Sequence, residues 1–250
     1  MKISSQDLKI FSKQIILKKI GIVGQKKIFN SKVLVVGAGG LGCPLILYLA
    51  NSGVGTIGII DHDKVDLSNL NRQILFSQKD VGKYKVDQAK REIKKINKKI
   101  KVEIFKKKID KTNVKNILKK FEIICDGSDN FDTRYLINDH CLKYRKVLIS
   151  AAISKFDGQL FNFDFKKKIP CFRCFVPEVS GLENNCETDG IMSTLAGIGG
   201  TLQANEVIKT ILDIKSDLIG KMLVFNSISL GFRKIKLTRN SNCIRECIKR

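Results

Sequence analysis

The sequence predicts an α/β fold, a doubly wound and mainly parallel sheet extended by antiparallel strands. Three observations carry this. Short apolar runs of strand length alternate with helical patterns through about residue 150, and a glycine-rich turn joins the first run to a helix. Beyond residue 150 the pattern changes to strict apolar–polar alternation, the grammar of antiparallel strands. The chain has 250 residues, of which 43% are hydrophobic. That suits a globular domain with a proper core and excludes long solenoids, large multidomain machines and disordered or collagenous chains. No repeat or low-complexity linker divides it, so we read residues 1–250 as one domain with its second half, from about 151, appended to the same sheet.

Leu8, Phe11, Ile15 and Ile16, with lysines between them, predict an amphipathic helix over 8–20 that Gly21 stops. Residues 32–36 predict a buried strand, 40–51 a helix ending at Gly53, and 56–60 a second strand. A helix near 84–98, a strand near 101–105, a helix near 112–120, a strand at 122–125, a helix near 130–144 and a strand at 147–150 come next. Asp157-Gly158 predicts a turn into an alternating strand at 160–165. A long apolar helix near 189–213 and strands at 221–226 and 231–238 complete the chain. Residues 33–60 carry no charge, but seven glycines with Pro44, Asn51 and Ser52 read as buried strand–turn–helix–strand and not as a membrane span.

Lys and Arg number 46 against 24 Asp and Glu, a formal charge of +22. Such a balance is the footprint of a nucleic-acid or anionic-surface binder. However, Lys outnumbers Arg 37 to 9 and recurs in runs such as 106–108 and 166–168. A planar phosphate reader favours Arg, so we read the lysines as solvated helix faces and expect no dedicated nucleic-acid partner. The N-terminal residues have no apolar signal core. The eight cysteines are therefore expected to stay reduced in a cytoplasmic setting.

Gly37-Ala38-Gly39-Gly40-Leu41-Gly42 is a Gly-x-Gly-x-x-Gly between a strand and a helix. Its glycines let the backbone turn and approach a phosphate that the helix N-terminus attracts. Asp61, at the end of the second strand, suits ribose hydroxyls. Together these make a Rossmann-like adenine-nucleotide site, for which NAD is the default. The loop after the second strand suits a dehydrogenase poorly. Asn69, Arg72 and Lys85 bring two cations beside the ribose strand, as a triphosphate requires. A later strand ends in Asp126-Gly127-Ser128-Asp129-Asn130, where Asp129 can hold magnesium. Either acid could instead cap the helix after it.

With its Gly-x-Gly-Gly-Leu-Gly, Leu67-Ser68-Asn69-Leu70-Asn71-Arg72-Gln73, Lys85, Asp126-Gly127-Ser128-Asp129-Asn130, Gly199-Gly200-Thr201-Leu202-Gln203-Ala204 and Glu206-x-Ile208-Lys209, the chain resembles the MoeB/ThiF/HesA family. These are ubiquitin-activating-enzyme-like adenylyltransferases, and the likeness runs from about residue 8 to 247. It implies ATP and Mg2+, with Gly37, Gly39, Gly40, Gly42, Asp61, Asn69, Arg72, Lys85, Ser128 and Asp129 at the nucleotide. It further implies a ubiquitin-fold sulfur carrier protein of the thiamine or molybdopterin pathway as substrate, a sulfurtransferase as further partner, and a homodimer. The first half is then nucleotide-binding and the second carrier-binding. The family's N-terminal Arg-Tyr-x-Arg-Gln helix, which reaches the partner subunit's ATP, appears here as Ile10-Phe11-Ser12-Lys13-Gln14. Lys13 keeps the charge without the guanidinium fork, or is an ordinary surface lysine.

Cys171-x-x-Cys174 and Cys243-x-x-x-Cys247 supply the four thiolates that tetrahedral zinc needs. Read this way, Zn2+ is a structural staple between the second half and the C-terminus, although the family closes the site with Cys-x-x-Cys. Cys186 aligns with a cysteine that some members use to take up the activated carrier or sulfur. Its alternative is a passive loop residue. Cys43, Cys125 and Cys141 fall in apolar elements and read as core. Two rival functions remain, a related tRNA-modifying threonylcarbamoyladenosine dehydratase, which suits the charge but generally lacks the cysteine cluster, and a non-catalytic zinc-bearing nucleic-acid-binding protein, which leaves Asp61, Arg72, Lys85 and Asp129 without a purpose.

Overall fold

In the computed structural model the described residues are 3–177, 190–240 and 243. An eight-stranded sheet organises them, in the order β3-β2-β1-β4-β5-β6-β7-β8. Its parallel part is β1 (Lys32–Val36), β2 (Thr56–Ile60), β3 (Lys101–Phe105), β4 (Ile123–Asp126) and β5 (Val147–Ser154). The inner strands β1, β2 and β4 and the start of β5 are apolar because both sheet faces are covered there, whereas the edge strand β3 carries Lys101 and Glu103 and is only half-buried. Val33, Val35, Ile57, Ile59, Ile123 and Ile149 face one core, packed by α3 (Gly21–Asn30), α4 (Gly42–Ser52), α5 (Lys85–Ile96) and α9 (Ser193–Ile211). Leu34, Val36, Ile124 and Leu148 face the other, with α6 (Val114–Leu118), α7 (Phe131–Lys143) and α8 (Phe172–Phe175). Strand order reverses between β1 and β4, which opens a crevice at their carboxyl ends, the place where such sheets bind ligands.

The predicted parallel half is found with small boundary shifts, and β6 (Asp157–Asp164), β7 (Lys221–Asn226) and β8 (Phe232–Lys236) extend the sheet antiparallel as expected. Two local readings need correction. The turn before β6 is Lys155-Phe156, since Ser154 pairs with Asp157. Lys155 takes the left-handed conformation at φ 53°, and Gly158 lies within the strand, where a Cβ would collide with the Phe225 ring. The expected helix over 8–20 is instead α1 (Ser5–Ile10), α2 (Ser12–Ile15) and a run of turns. Gly21, at φ +57°, ends that segment and also opens α3, which the sequence pattern did not predict. Phe11 breaks the first helix because its ring is drawn into the core, edge-on to Phe29 at 5.1 Å.

Candidate functional site

The crevice is built by glycines at the two strand ends. Gly37 turns at φ +89°, and a Cβ there would meet the Gly127 carbonyl oxygen at 3.2 Å. A Cβ at Gly42 would strike the Gly37 carbonyl, so the first turn of α4 folds tightly onto the strand it leaves. Gly40 is threaded between α9 and the loop after β2, with Ala196 Cβ 3.1 Å and Arg72 Cγ 3.5 Å from where its Cβ would be. The Gly39 and Gly40 N–H groups have no backbone acceptor among the described residues. Half-exposed at a helix N-terminus, they form a cradle for an anion that any Cβ would fill.

Asp61 leaves β2 beside this loop and is nearly buried. Its Oδ2 accepts the Ala38 N–H at 2.7 Å and its Oδ1 the Asp63 N–H at 2.8 Å, so both carboxylate oxygens are held in place with lone pairs to spare. Burial raises its pKa above the ordinary carboxylate value, opposed by the Asp63 N–H, the Lys85 charge and the Ala38 N–H. Lys85 opens α5, is 5% exposed, and donates to Asp63 Oδ2 at 2.8 Å. Arg72 donates to the Ser68 carbonyl at 3.0 Å and to Asn71 Oδ1 at 3.1 Å. Asn69 shapes that loop through its carbonyl, which accepts the Arg72 and Gln73 N–H groups at 3.1 and 2.9 Å. Gln73 is buried behind Gly39, and its Oε1 has no partner among the described residues.

Across the crevice, β4 ends in a turn that separates the two acids. Asp126 is 1% exposed and serves the turn, accepting from Ser128 N and Oγ at 3.0 and 2.6 Å and from Ser150 Oγ at 2.7 Å. Asn130, not either acid, caps α7 by accepting the Thr133 N–H at 2.9 Å. Asp129 is left exposed and accepts from the adjacent Asn130 amide at 3.1 Å. The chemistry of that carboxylate suits a hard divalent cation. The hydroxyl and N–H of Ser128 both donate to Asp126, and its carbonyl accepts from Arg134. Sequence reasoning missed two buried supports of this turn, Arg134 and Gln203. Gln203 on α9 donates to the Asp126 and Ile149 carbonyls at 2.9 and 3.2 Å.

Lys13 is not brought to this crevice. Phe11 packs on Gly53, and Gln14 donates to the Ser52 carbonyl at 3.3 Å. Both anchors mark the C-terminal end of α4, whose N-terminal end carries the phosphate-type loop. Eleven helical residues separate the two ends by about 16 Å, well beyond the reach of a lysine side chain. Around Lys13 the segment exposes Ile10, Ile16, Leu17, Ile22 and Val23.

A second centre lies on the opposite face. The Cys171, Cys174 and Cys243 Sγ atoms all lie within 4.8 Å of one another, at 3.8 Å for Cys171–Cys174 and 3.4 Å for Cys171–Cys243. Tetrahedral thiolates at the usual Zn–S length of about 2.3 Å stand about 3.8 Å apart, so three of the four expected ligands fit that ion. Cys247 and Cys186 lie outside the described residues. Cys43, Cys125 and Cys141 are buried as expected, and burial pushes the Cys43 thiol up to about 12. No helix among the described residues is long and apolar enough to cross a membrane.

Comparison with known proteins places these features. The ThiF family profile matches residues 11–245. The chain is 41% identical over 246 residues to the adenylyltransferase and sulfurtransferase MOCS3 of Culex quinquefasciatus, covering 97% of this chain and 56% of that protein. It is 43% identical over 229 residues to a probable molybdopterin-synthase adenylyltransferase of Porphyra purpurea, covering 91% and 60%. It thus spans little more than half the length of these relatives. Among solved structures, E. coli MccB with MccA-N7isoASN superposes with a TM-score of 0.82 at 25% identity, covering 95% of this chain and 73% of that one. E. coli MccB with ATP gives 0.74 at 26%, covering 87% and 67%.

Proposed function

The chain belongs to the ThiF family, and from that premise we propose that it is an ATP-dependent adenylyltransferase that activates the C-terminal glycine carboxylate of a ubiquitin-fold sulfur carrier. The observation that carries this reading is the surrounding of one glycine loop, with Arg72 packed beside Gly40, Asp61 braced by the Ala38 N–H, Lys85 bonded to neighbouring Asp63, and the turn that bears exposed Asp129 abutting Gly37. The name of one relative, a probable molybdopterin-synthase adenylyltransferase, supports a carrier of the molybdopterin pathway. A sulfurtransferase is the further partner this chemistry calls for.

The substrate carboxylate is ionised at neutral pH, so the step needs no general base. One carboxylate oxygen bonds to the α-phosphorus of ATP while the bond to the β-phosphate oxygen breaks. Pyrophosphate leaves with that electron pair, and the product is an acyl adenylate. The chain's work is to hold the nucleotide and neutralise charge. Asp61 accepts from ribose hydroxyls, and the Gly39 and Gly40 N–H groups receive phosphate oxygens. Arg72 and Lys85 meet the charge developing on the polyphosphate. Asp129 would hold magnesium, which would supply further neutralisation of the leaving group.

Lys13 stands at the far end of α4 and reaches a nucleotide only from a second copy. The exposed apolar residues around it are the surface for that homodimer. Cys171, Cys174 and Cys243, with Cys247 as the expected fourth ligand, would hold zinc, which would staple the second half. Cys186, which lies outside the described residues, is the candidate thiol for taking up the activated carrier or sulfur.

The test is co-purification with a candidate carrier followed by ATP–pyrophosphate exchange. Carrier-dependent exchange is the expected result. Exchange driven by tRNA in place of carrier, or none with any ubiquitin-fold carrier, would overturn the reading.

A further inference from the structure

Arg134 is 7% exposed, in the first turns of α7, and its guanidinium points back into the β4 turn. Nη1 donates to the Ala151 carbonyl at 2.9 Å, Ser150 Oγ at 3.1 Å and Asp126 Oδ2 at 3.3 Å. Nη2 donates to the Ser128 carbonyl. The guanidinium thus ties the turn to the middle of the neighbouring strand β5, at Ser150 and Ala151, and to the peptide immediately before Asp129. On the other side of Asp129, Asn130 is fixed as the α7 cap. Asp129 therefore has an immobilised residue on each side, and among the described residues its carboxylate accepts only from the adjacent Asn130 amide.

A buried ion pair is a poor stabiliser, because desolvation offsets most of its Coulombic gain and apolar packing does as well. Stability alone gives little reason for an arginine here. The planar fork instead specifies where the Ser128 carbonyl lies relative to Asp126 and Ser150, which a lysine cannot reproduce. We propose that Arg134 is a positioning residue, presetting the turn that presents the Asp129 carboxylate to the metal–nucleotide complex. The proposal rests on the nucleotide reading above, and its test separates the two.

ATP dissociation constants are measured by calorimetry with excess Mg2+ and again in EDTA, for wild type, Arg134→Lys, Asp129→Ala and the double variant. The ratio of the two constants is the factor by which magnesium tightens ATP. Arg134→Lys should lower that factor by about tenfold, the lower end of what loss of an outer-shell partner costs in metal affinity. The metal-free constant should stay near wild type. In the Asp129→Ala background Arg134→Lys should have no further effect on the factor, since coupled residues are not additive. Glu206→Gln serves as a control for lost stability. Glu206 accepts from Asn162 Nδ2 at 2.9 Å and Lys209 Nζ at 2.5 Å, away from the turn, and its loss should leave the factor unchanged.

Equal weakening of both constants in Arg134→Lys would make its role merely structural and overturn the proposal. An unchanged factor, or a full additional effect without Asp129, would do the same. If Arg134→Lys fails to fold, Ser150→Ala removes one bond each to Arg134 and Asp126 and should move the factor in the same direction. A wild-type factor in that variant also overturns the proposal, as does a wild type whose ATP affinity ignores magnesium. Magnesium-tightened ATP binding without carrier-dependent exchange defeats only the carrier reading.

Discussion

Arg72 does two things with one side chain. Its methylenes lie against Gly40, and its guanidinium is held at the loop surface by Ser68 and Asn71. Arg72→Ala should therefore lower carrier-dependent pyrophosphate exchange by on the order of 100-fold, the usual cost of one preorganised donor, while thermal stability changes little. Exchange within a few-fold of wild type would remove Arg72 from the charge-neutralising set. At this scale the site was legible wherever chemistry depends on near neighbours in the chain. The glycine spacing, Asp61 one strand later, and Asp129 at a further strand end accord with what a strand–turn–helix must place beside a phosphate. Arg134 was illegible, since its meaning lies in Ser150 and Ala151, which are brought to it only by sheet pairing. Gln203 was legible as a motif residue but not in its role, which needs α9 laid across the β4–β5 ends.

Among the elements, the N-terminal helices are the part the sequence misrepresented. A run of apolar residues at helical spacing reads as one helix, but Phe11 turns into the core against Phe29 and Gly53 and interrupts it between Ile10 and Ser12, while Gln14 bonds Ser52 beside them. What fastens the segment is electrostatic. Lys99 donates to Asp7 Oδ1 and Oδ2 at 2.8 and 2.9 Å. Burial pushes the Asp7 carboxyl up, but the Lys99 and Ser4 hydrogen bonds outweigh it and bring the pKa from 3.8 to about 2. The unfolded chain thus binds this proton more readily than the native one. The stabilisation is complete above pH 3.8 and is lost as pH falls toward about 2. Asp7→Asn should lower stability at neutral pH and remove that part of the acid limb, as measured by circular dichroism on acid titration. An unchanged limb would mean that the pair contributes nothing.

Lys13, carried on the same segment, allows a complementation experiment. Lys13→Ala and Asp129→Ala should each be nearly inactive in exchange. Mixed, they should on the dimer reading form heterodimers in which the site with intact Asp129 receives an unmutated Lys13 from the other chain. Activity should return on mixing. If mass spectrometry shows subunit exchange and activity stays low, Lys13 does not act across a dimer.

For the whole molecule, the doubly wound half was readable because both faces of its inner strands are buried and so show as nearly unbroken apolar runs. The second half yielded its strands but not the Lys155-Phe156 turn. A lysine at positive φ has no sequence signal, while Asp157-Gly158 has a strong one that packing under Phe225 overrides. The cysteine cluster joins distant parts of this half, so metal and fold should be lost together. Purified protein should carry about one zinc per chain, and Cys174→Ser should lower both metal content and melting temperature. Metal-free protein prepared without chelator would leave the three thiols as packing residues.

The two ends of α4 have one more consequence. A chain with its phosphate cradle at one end of that helix and Lys13 anchored at the other is half of a working unit, if Lys13 is to meet a nucleotide at all. Specific activity is then a property of concentration. At high dilution the rate should rise with the square of added protein and become linear only once pairs predominate. A copy damaged only in its N-terminal segment keeps its own crevice whole and silences that of its neighbour, so the lesion and the deficit fall on different molecules.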